Sequence, residues 1–185
     1  MKKKKILLLL SIVLFLTLFI GVNGYVYPFS PIGYTKSVTV QHGFTDKYDS
    51  KFEEIESMLN HANSNDIFLD QLEVTLETVD LNWLRSNEMQ KVNLNQLQKM
   101  ELEAQDQYQG NLELSRGYEN IDANSLQYLN ALTDLFKKVE DQLQKIIYPE
   151  LSSRSNIEEK VSYLPSNYYL ILVNLERLVE EYQKN

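Results

Sequence analysis

The N-terminus carries the feature that most constrains this chain. Four lysines, Lys2 to Lys5, are followed by an uncharged and almost wholly apolar run, Ile6 to Ile20. Such a run has no polar face to turn to water, so it does not suit a surface helix of a soluble domain. A basic start before an apolar stretch is typical of a membrane-directed segment. We predict that residues 1–24 form a signal-anchor or a signal peptide, with its apolar positions marked by Ile6, Leu10, Phe15 and Ile20.

Two fates of this segment are compatible with its length. A helix needs about 20 apolar residues to cross about 30 Å of hydrocarbon, and Ile6 to Val26 is long enough to do so. A cut after Gly24 would instead release the remainder. Aromatic side chains are enriched at membrane interfaces, and three stand directly after the segment: Tyr25, Tyr27 and Phe29.

The charges that flank the segment predict its orientation. All four lysines precede it, and only Lys36 lies in the next stretch of chain. The positive-inside rule therefore predicts a cytoplasmic N-terminus and a C-terminal domain outside, in a single-pass topology. The domain would be secreted if the leader were cut after Gly24.

The remainder of the chain is acidic and lacks cysteine. All 26 acidic residues but only 14 of the 18 basic ones follow Gly24, so that part carries a net charge of −12. Such a domain repels nucleic acid, which excludes nucleic-acid binding. Without cysteine, thiol nucleophiles, thiolate metal sites and disulfides are excluded as well.

The scarcity of Gly (6) and Pro (4) favours long helices over sheets with many turns. We predict an all-α fold, in which an antiparallel helical bundle of four to five amphipathic helices with coiled-coil-like seams follows the membrane segment. Residues 25–43 are predicted as an extended linker, with β-prone residues at 36–41. Residues 44–185 are predicted as the extracytoplasmic bundle domain.

Apolar residues recur at steps of three and four in each predicted helix. Asp66 is predicted to cap a helix. Residues 66–108 form either one long helix or two helices with a bend near Asn87, and the absence of an obligate breaker favours one continuous helix. Residues 110–120 are predicted as a loop, and Asp122 or Asn124 as the cap of the next helix. Pro165 suits the first turn of the last helix.

No motif predicts catalysis, a metal or a cofactor. His42 and His61, the only histidines, stand in no ligand spacing of a zinc or di-iron site. No G-x-S-x-G elbow and no phosphate-binding glycine loop is present. We therefore expect no catalytic residues, no bound metal and no cofactor.

Two groups of residues are predicted as a possible partner surface. Carboxylates repeat along one side of a helix at 70, 73, 77 and 80, which is either a solvated face or a surface for a basic partner. Tyrosines cluster around Pro165, where they are either core edges or interface residues. The predicted surface residues are Asp70, Glu73, Glu77, Asp80, Tyr163, Tyr168 and Tyr169.

These patterns lead to a hypothesis with two alternatives. The leading one is a membrane-tethered helical interaction or scaffold protein outside the cytoplasm, with a protein partner or self-association and without catalytic activity. The first alternative is an exported ligand- or ion-binding domain, whose apolar ligand would lie along residues 92–104. The second is a secreted effector, which applies if the leader is cleaved.

Overall fold

A computed structural model describes most of the chain: residues 2–30, 33, 36–40, 43, 45–61, 66–86, 88–117, 121–148 and 152–184. This part is mostly helical, with one small antiparallel sheet of two strands and an apolar helix at the N-terminus. The elements in chain order are α1 (Lys2–Val26), β1 (Ser37–Val40), α2 (Thr45–Asn60), α3 (Ile67–Thr78), β2 (Gln90–Asn93), α4 (Leu94–Gly117), α5 (Ala123–Ile147), α6 (Arg154–Ser162) and α7 (Leu164–Tyr182).

Helix α1 is apolar, and its side chains are exposed along most of its length. Ile6–Val26 is 21 residues long, its most apolar window of 18 residues has a mean hydropathy of 2.7, and none of that window is buried. Its polar side chains turn back to their own helix, as Thr17 Oγ1 donates to the carbonyl of Val13 at 2.8 Å. By length and composition, this helix could cross a membrane or serve as a signal sequence.

The core lies where α5 packs against both α4 and α7, and α7 in turn packs against α2. Because apolar residues recur along α5 at steps of three and four, one side of that helix is buried along its whole length. These buried residues confirm the predicted spacing, and they are Leu129, Leu132, Phe136, Val139, Leu143 and Ile146.

Three predicted helix starts are confirmed. The Asp66 carboxylate accepts a hydrogen bond from the backbone N–H of Phe68 at 2.8 Å, which caps α3. Asp122 caps α5 in the same way, through the backbone N–H groups of Asn124 and Ser125. Pro165 lies in the first turn of α7, where its missing N–H costs nothing.

The prediction of one continuous helix through residue 108 is wrong. Helix α3 ends at Thr78, and a turn precedes β2 and α4. The Val79 carbonyl, which would otherwise accept a helical hydrogen bond, accepts one from the Tyr48 hydroxyl. Arg85 then pairs with Asp49 of α2, so contacts with α2 hold the chain in a turn that no local breaker marks.

The predicted loop at residues 110–120 is also wrong over residues 110–117. Helix α4 runs through Gly110 to Gly117, and residues 118–120 lie outside the described part. A Cβ at Gly110 would approach Gln71 Nε2 to 3.3 Å. The glycine therefore serves the close packing of α4 on α3, not a turn.

The segment 25–43, predicted as an extended linker, contributes to the folded domain where it is described. Ser37–Val40 pairs with β2 in an antiparallel register that places Val38 opposite Val92. Val38 and Val40 are buried, which follows the alternation of side chains along a strand. The β-prone character of these residues is thus confirmed as a strand.

Candidate functional site

The junction between α1 and the folded domain is held by Arg154, the first residue of α6. Its Nε donates to the Tyr25 carbonyl at 3.2 Å, and its Nη1 donates to the Ser37 carbonyl at 3.0 Å. Its guanidinium carbon lies 4.6 Å from the centre of the Tyr25 ring, a cation–π distance. One side chain therefore joins the end of α1, the start of β1 and the start of α6.

A compact turn follows α1 and brings the chain to this junction. The Tyr27 carbonyl accepts the Ser30 N–H at 3.2 Å, and the Ser30 carbonyl accepts the Gly33 N–H at 2.9 Å. A Cβ at Gly33 would lie 2.2 Å from the backbone oxygen of Pro28. The turn is therefore so tight that only glycine fits at residue 33 without a backbone shift.

The three predicted interfacial aromatics lie in different environments. The Tyr25 side chain is 56% exposed, whereas Tyr27 is half-buried. Phe29 is buried in the core together with Val38 and Val40. Only Tyr25 therefore presents most of its ring to the surroundings of α1.

An acidic groove of about 340 Å³ lies between α2 and α3. We call it the α2–α3 groove, and its lining residues are Phe52, Glu56, Leu59, Asn60, Glu73, Leu76, Glu77 and Asp80. Three of the four predicted carboxylates line it, and α2 adds Glu56, which sequence reasoning missed. The fourth, Asp70, is exposed elsewhere on α3.

One cation stands at the edge of the α2–α3 groove. Arg85 Nη1 lies 2.9 Å from Asp80, its Nε pairs with Asp49, and its guanidinium carbon lies 4.8 Å from the centre of the Phe52 ring. The hydrogen bond to Asp80, and to a smaller extent the one to Asp49, raises the pKa of Arg85 above its ordinary value. Asp80 is thus partly neutralised, whereas Glu56, Glu73 and Glu77 of the groove lining form no ion pair with any residue that the structure describes.

A second groove, of about 610 Å³, lies between α5 and the start of α7. Its lining includes Lys137, Lys138 and Lys145 together with Asp134 and Asp141. Lys137 lies 2.9 Å from Glu140 and 3.0 Å from Asp141, and hydrogen bonds to these carboxylates raise its pKa. Because the carboxylates offset most of the positive charge, this α5–α7 groove is mixed in charge.

The three tyrosines near Pro165 do not form one surface. Tyr163 is 57% exposed and lines the α5–α7 groove. Tyr168 is buried in the core, and burial raises the pKa of its hydroxyl well above the ordinary value. Tyr169 is half-buried against the same core. Of the predicted tyrosines, Tyr163 alone is open to a partner over most of its side chain.

Most of the apolar residues predicted to line a ligand site are packed inside the domain. Val92 lies in β2, and the other buried members of the stretch 92–104 lie on the inner face of α4, namely Leu97, Met100 and Ala104. Leu102 is the exception at 58% exposed, and Met100 also lines a small groove of about 230 Å³. The stretch therefore contributes mainly to the core.

The described residues hold no group of three or more His, Asp or Glu side chains close enough to share a metal ion. His61 Nδ1 lies 2.6 Å from the carbonyl of Ser57 in its own helix, and His42 lies outside the described residues. The α2–α3 groove and the α5–α7 groove can recognise a binding partner by charge and shape. The junction fixes the end of α1 to the folded domain.

No protein-family model, no curated protein and no solved structure matches this chain. Arg154, the central residue of the junction, was missed by sequence reasoning because its partners are backbone carbonyls of distant residues, which leave no trace in a local pattern.

Proposed function

We propose that the chain is a single-pass membrane protein with its N-terminus in the cytoplasm. Its helical domain acts outside the cytoplasm as an interaction or accessory module, a scaffold without catalytic activity. In this proposal α2, α3, α4, α5 and α7 form the antiparallel bundle, with coiled-coil-like seams along α5 and α7. The observation that carries the proposal is the way in which α1 joins the domain.

Two features of this join favour an anchor that stays attached. Helix α1 continues without interruption through Gly24 to Val26, across the predicted cleavage point. A cut after Gly24 would leave a new positively charged amino group on Tyr25, next to the guanidinium that holds the Tyr25 carbonyl. Like charges at this distance repel, so cleavage would weaken the Arg154 contact that organises the junction.

The α2–α3 groove is the surface that we propose for a protein partner. The domain that follows Gly24 carries a net charge of −12, which steers cationic partners and repels a second copy. Within the groove, carboxylates surround a small apolar floor formed by Phe52, Leu59 and Leu76. A partner with lysine or arginine beside apolar side chains would complement both parts.

Crosslinking in the native host would test this proposal. The full chain with a C-terminal affinity tag is crosslinked in intact cells and purified, and the proteins bound to it are identified by mass spectrometry. Glu73→Gln combined with Glu77→Gln is expected to lose the stoichiometric partner. The control, Glu88→Gln combined with Glu113→Gln, removes the same charge from exposed positions outside the groove and is expected to retain it.

Two results would contradict the proposal. If both double variants lose the partner equally, net charge and not the groove determines binding. If the purified full chain turns over a substrate and a single carboxylate substitution abolishes that turnover, the non-catalytic part of the proposal fails.

An exported ligand-binding domain is the second candidate, and the α5–α7 groove is the observation that favours it. The groove combines lysines, the exposed Tyr163 and the side-chain amides of Gln142 and Asn167. A ligand present well above its dissociation constant must raise the melting temperature. A thermal-shift screen with lipids, hydrophobic peptides and Ca²⁺ therefore tests it. If none of the three raises the melting temperature, the ligand-binding domain is contradicted, and so is a secreted effector that acts by binding such a ligand.

A further inference from the structure

We infer that Tyr148 and Lys145, at the C-terminal end of α5, rest in the lipid headgroup layer of the membrane that α1 enters. This inference depends on the proposed anchor. It adds a second contact with the bilayer, formed by residues far from α1 in the sequence. The argument follows from where α5 and α6 end, from exposure and from side-chain chemistry.

The two helices place Tyr148 at the same end of the fold as the junction with α1. Gln142 Nε2 donates to the Lys160 carbonyl at 3.2 Å, so these two residues lie side by side on α5 and α6. Tyr148 is six residues beyond Gln142, and Arg154 is six residues before Lys160. At a rise of 1.5 Å per residue, both lie about 9 Å from that contact and toward the same connection. Arg154 binds Tyr25, so Tyr148 lies near the end of α1.

Tyr148 is positioned and exposed as an interfacial residue should be. Its side chain is 67% exposed, and its backbone N–H donates to the Gln144 carbonyl at 2.9 Å, which fixes it at the end of α5. A tyrosine ring enters the apolar edge of a bilayer while its hydroxyl stays with water and headgroups. Phe29, predicted as an interfacial aromatic, is buried in the core. Tyr148 can instead be the second aromatic residue at the membrane interface, beside Tyr25.

Lys145 supplies the matching charge. It precedes Tyr148 by three residues, which places both on one side of the helix. It is exposed, and no carboxylate among the described residues lies within ion-pair distance of it. A lysine in this position can extend its apolar stem along the interface and bring its ammonium group to a lipid phosphate.

Tyr163 offers a matched control. It is also an exposed tyrosine at a helix end, 57% exposed, but it closes the opposite end of α6. Nine residues separate it from Arg154, which is about 13 Å along the helix axis. The inference includes that α6 runs away from the bilayer from Arg154 onward. Because the headgroup layer is only about 5–8 Å thick on each side of the hydrocarbon, Tyr163 then lies beyond it, in water.

Site-directed spin labelling on the full chain tests the inference. Because the chain contains no cysteine, Tyr148→Cys and Tyr163→Cys each give a single labelling site. Each nitroxide-labelled protein is reconstituted into vesicles of phosphatidylcholine and phosphatidylglycerol, and its collisions with a water-soluble nickel chelate and with oxygen are compared. The expected result is a loss of nickel collisions at 148 relative to 163. Adding Lys145→Gln to the Tyr148→Cys chain should restore part of those collisions in anionic vesicles only.

A third label separates failure of the inference from failure of the anchor. Phe15→Cys lies in the middle of α1 and should be accessible to oxygen but not to the nickel chelate. If 148 and 163 are equally open to nickel while 15 is protected, the inference is overturned and the anchor stands. If 15 is open to nickel as well, the anchor itself fails and the inference fails with it.

Discussion

Arg154 reaches three separate segments of the chain from one position at the start of α6. Its side chain is 19% exposed, so its hydrogen bonds to the carbonyls of Tyr25 and Ser37 are partly shielded from water. A guanidinium can donate in two directions and stack on a ring at the same time because it is planar. An ammonium group cannot do both, so the contact depends on arginine and not on positive charge alone.

Replacing Arg154 with lysine should therefore destabilise the domain although the charge is kept. Loss of one charge-assisted hydrogen bond and of the ring contact is expected to cost about 1–2 kcal/mol. For a domain of this size, that lowers the melting temperature by roughly 3–6 °C. Thermal unfolding of the full chain in detergent measures it, with Arg116→Lys at the exposed end of α4 as the control. Equal shifts in the two variants would show that the junction contributes nothing.

Two buried tyrosines predict how stability depends on alkaline pH. Burial raises the pKa of Tyr48 and of Tyr168 above the ordinary value of 10.0. In the unfolded chain both hydroxyls lose their protons near that value, whereas in the folded chain they keep them. The unfolded state therefore binds fewer protons above pH 10, and stability must fall as pH rises through that range.

Denaturant unfolding between pH 8 and pH 11 measures this decline. Tyr168→Phe removes one of the two raised hydroxyls and should make the decline shallower. Tyr163→Phe, which changes an exposed residue, should leave it unchanged. A decline of the same steepness in wild type and in Tyr168→Phe would show that Tyr168 is not protected in the folded state.

At the scale of elements, the turn after α1 has little space for a side chain at residue 33. Gly33 faces the backbone of Pro28 so closely that a methyl group would force the turn open. Gly43, ten residues further on, has no atom within 4 Å of its Cβ position. Neither has a positive φ, so the difference between them is one of space and not of backbone conformation.

Gly33→Ala is accordingly expected to destabilise the domain by about 1–3 kcal/mol, the usual cost of forcing atoms into a packed site. Gly43→Ala should be neutral or should stabilise by up to about 1 kcal/mol, because it restricts the unfolded chain. Chemical denaturation of both variants gives the comparison. If Gly33→Ala is as stable as wild type, the turn has room for a methyl group at residue 33 and this prediction is contradicted.

The helices that local pattern predicted well are those whose interactions are local or lie along one continuous face. Asp66 and Asp122 cap their own helices, and the apolar spacing of α5 marks the side that is buried. Capping and amphipathic spacing are properties of neighbouring residues, so they are legible in the sequence. The apolar helix α1 was predictable for the same reason.

The elements that the sequence did not reveal depend on contacts between distant residues. Two residues of α2 hold the turn after α3. The Tyr48 hydroxyl donates to the Val79 carbonyl, which a longer helix would use for its own hydrogen bond, and Asp49 accepts a hydrogen bond from Arg85. Strand β2 exists because β1 lies beside it. For the candidate site, the carboxylates of α3 were recognised from spacing. Glu56, which faces them from α2, and Arg154 required the tertiary structure.

At the scale of the whole molecule, charge and hydrophobicity divide the chain into two unlike parts. Four lysines, Lys2 to Lys5, lie at the start of α1 and only Lys36 lies in the next stretch of chain, which favours a cytoplasmic start for this helix. Along most of α1 nothing in the described domain covers the helix, so its apolar surface requires either a bilayer or removal. The proposal of a tethered scaffold depends on the first of these outcomes.

Thiol labelling of intact cells tests that central claim most directly, because a chain without native cysteine gives no background. A single cysteine is placed at the exposed residue Gln105 in α4, or at Lys3 in the first turn of α1, and a membrane-impermeant maleimide is added before and after lysis. We predict that Gln105→Cys reacts on intact cells and sediments with membranes, whereas Lys3→Cys reacts only after lysis. A chain that appears in the medium without the Lys3→Cys residue, or a Gln105→Cys that reacts only after lysis, would contradict the account.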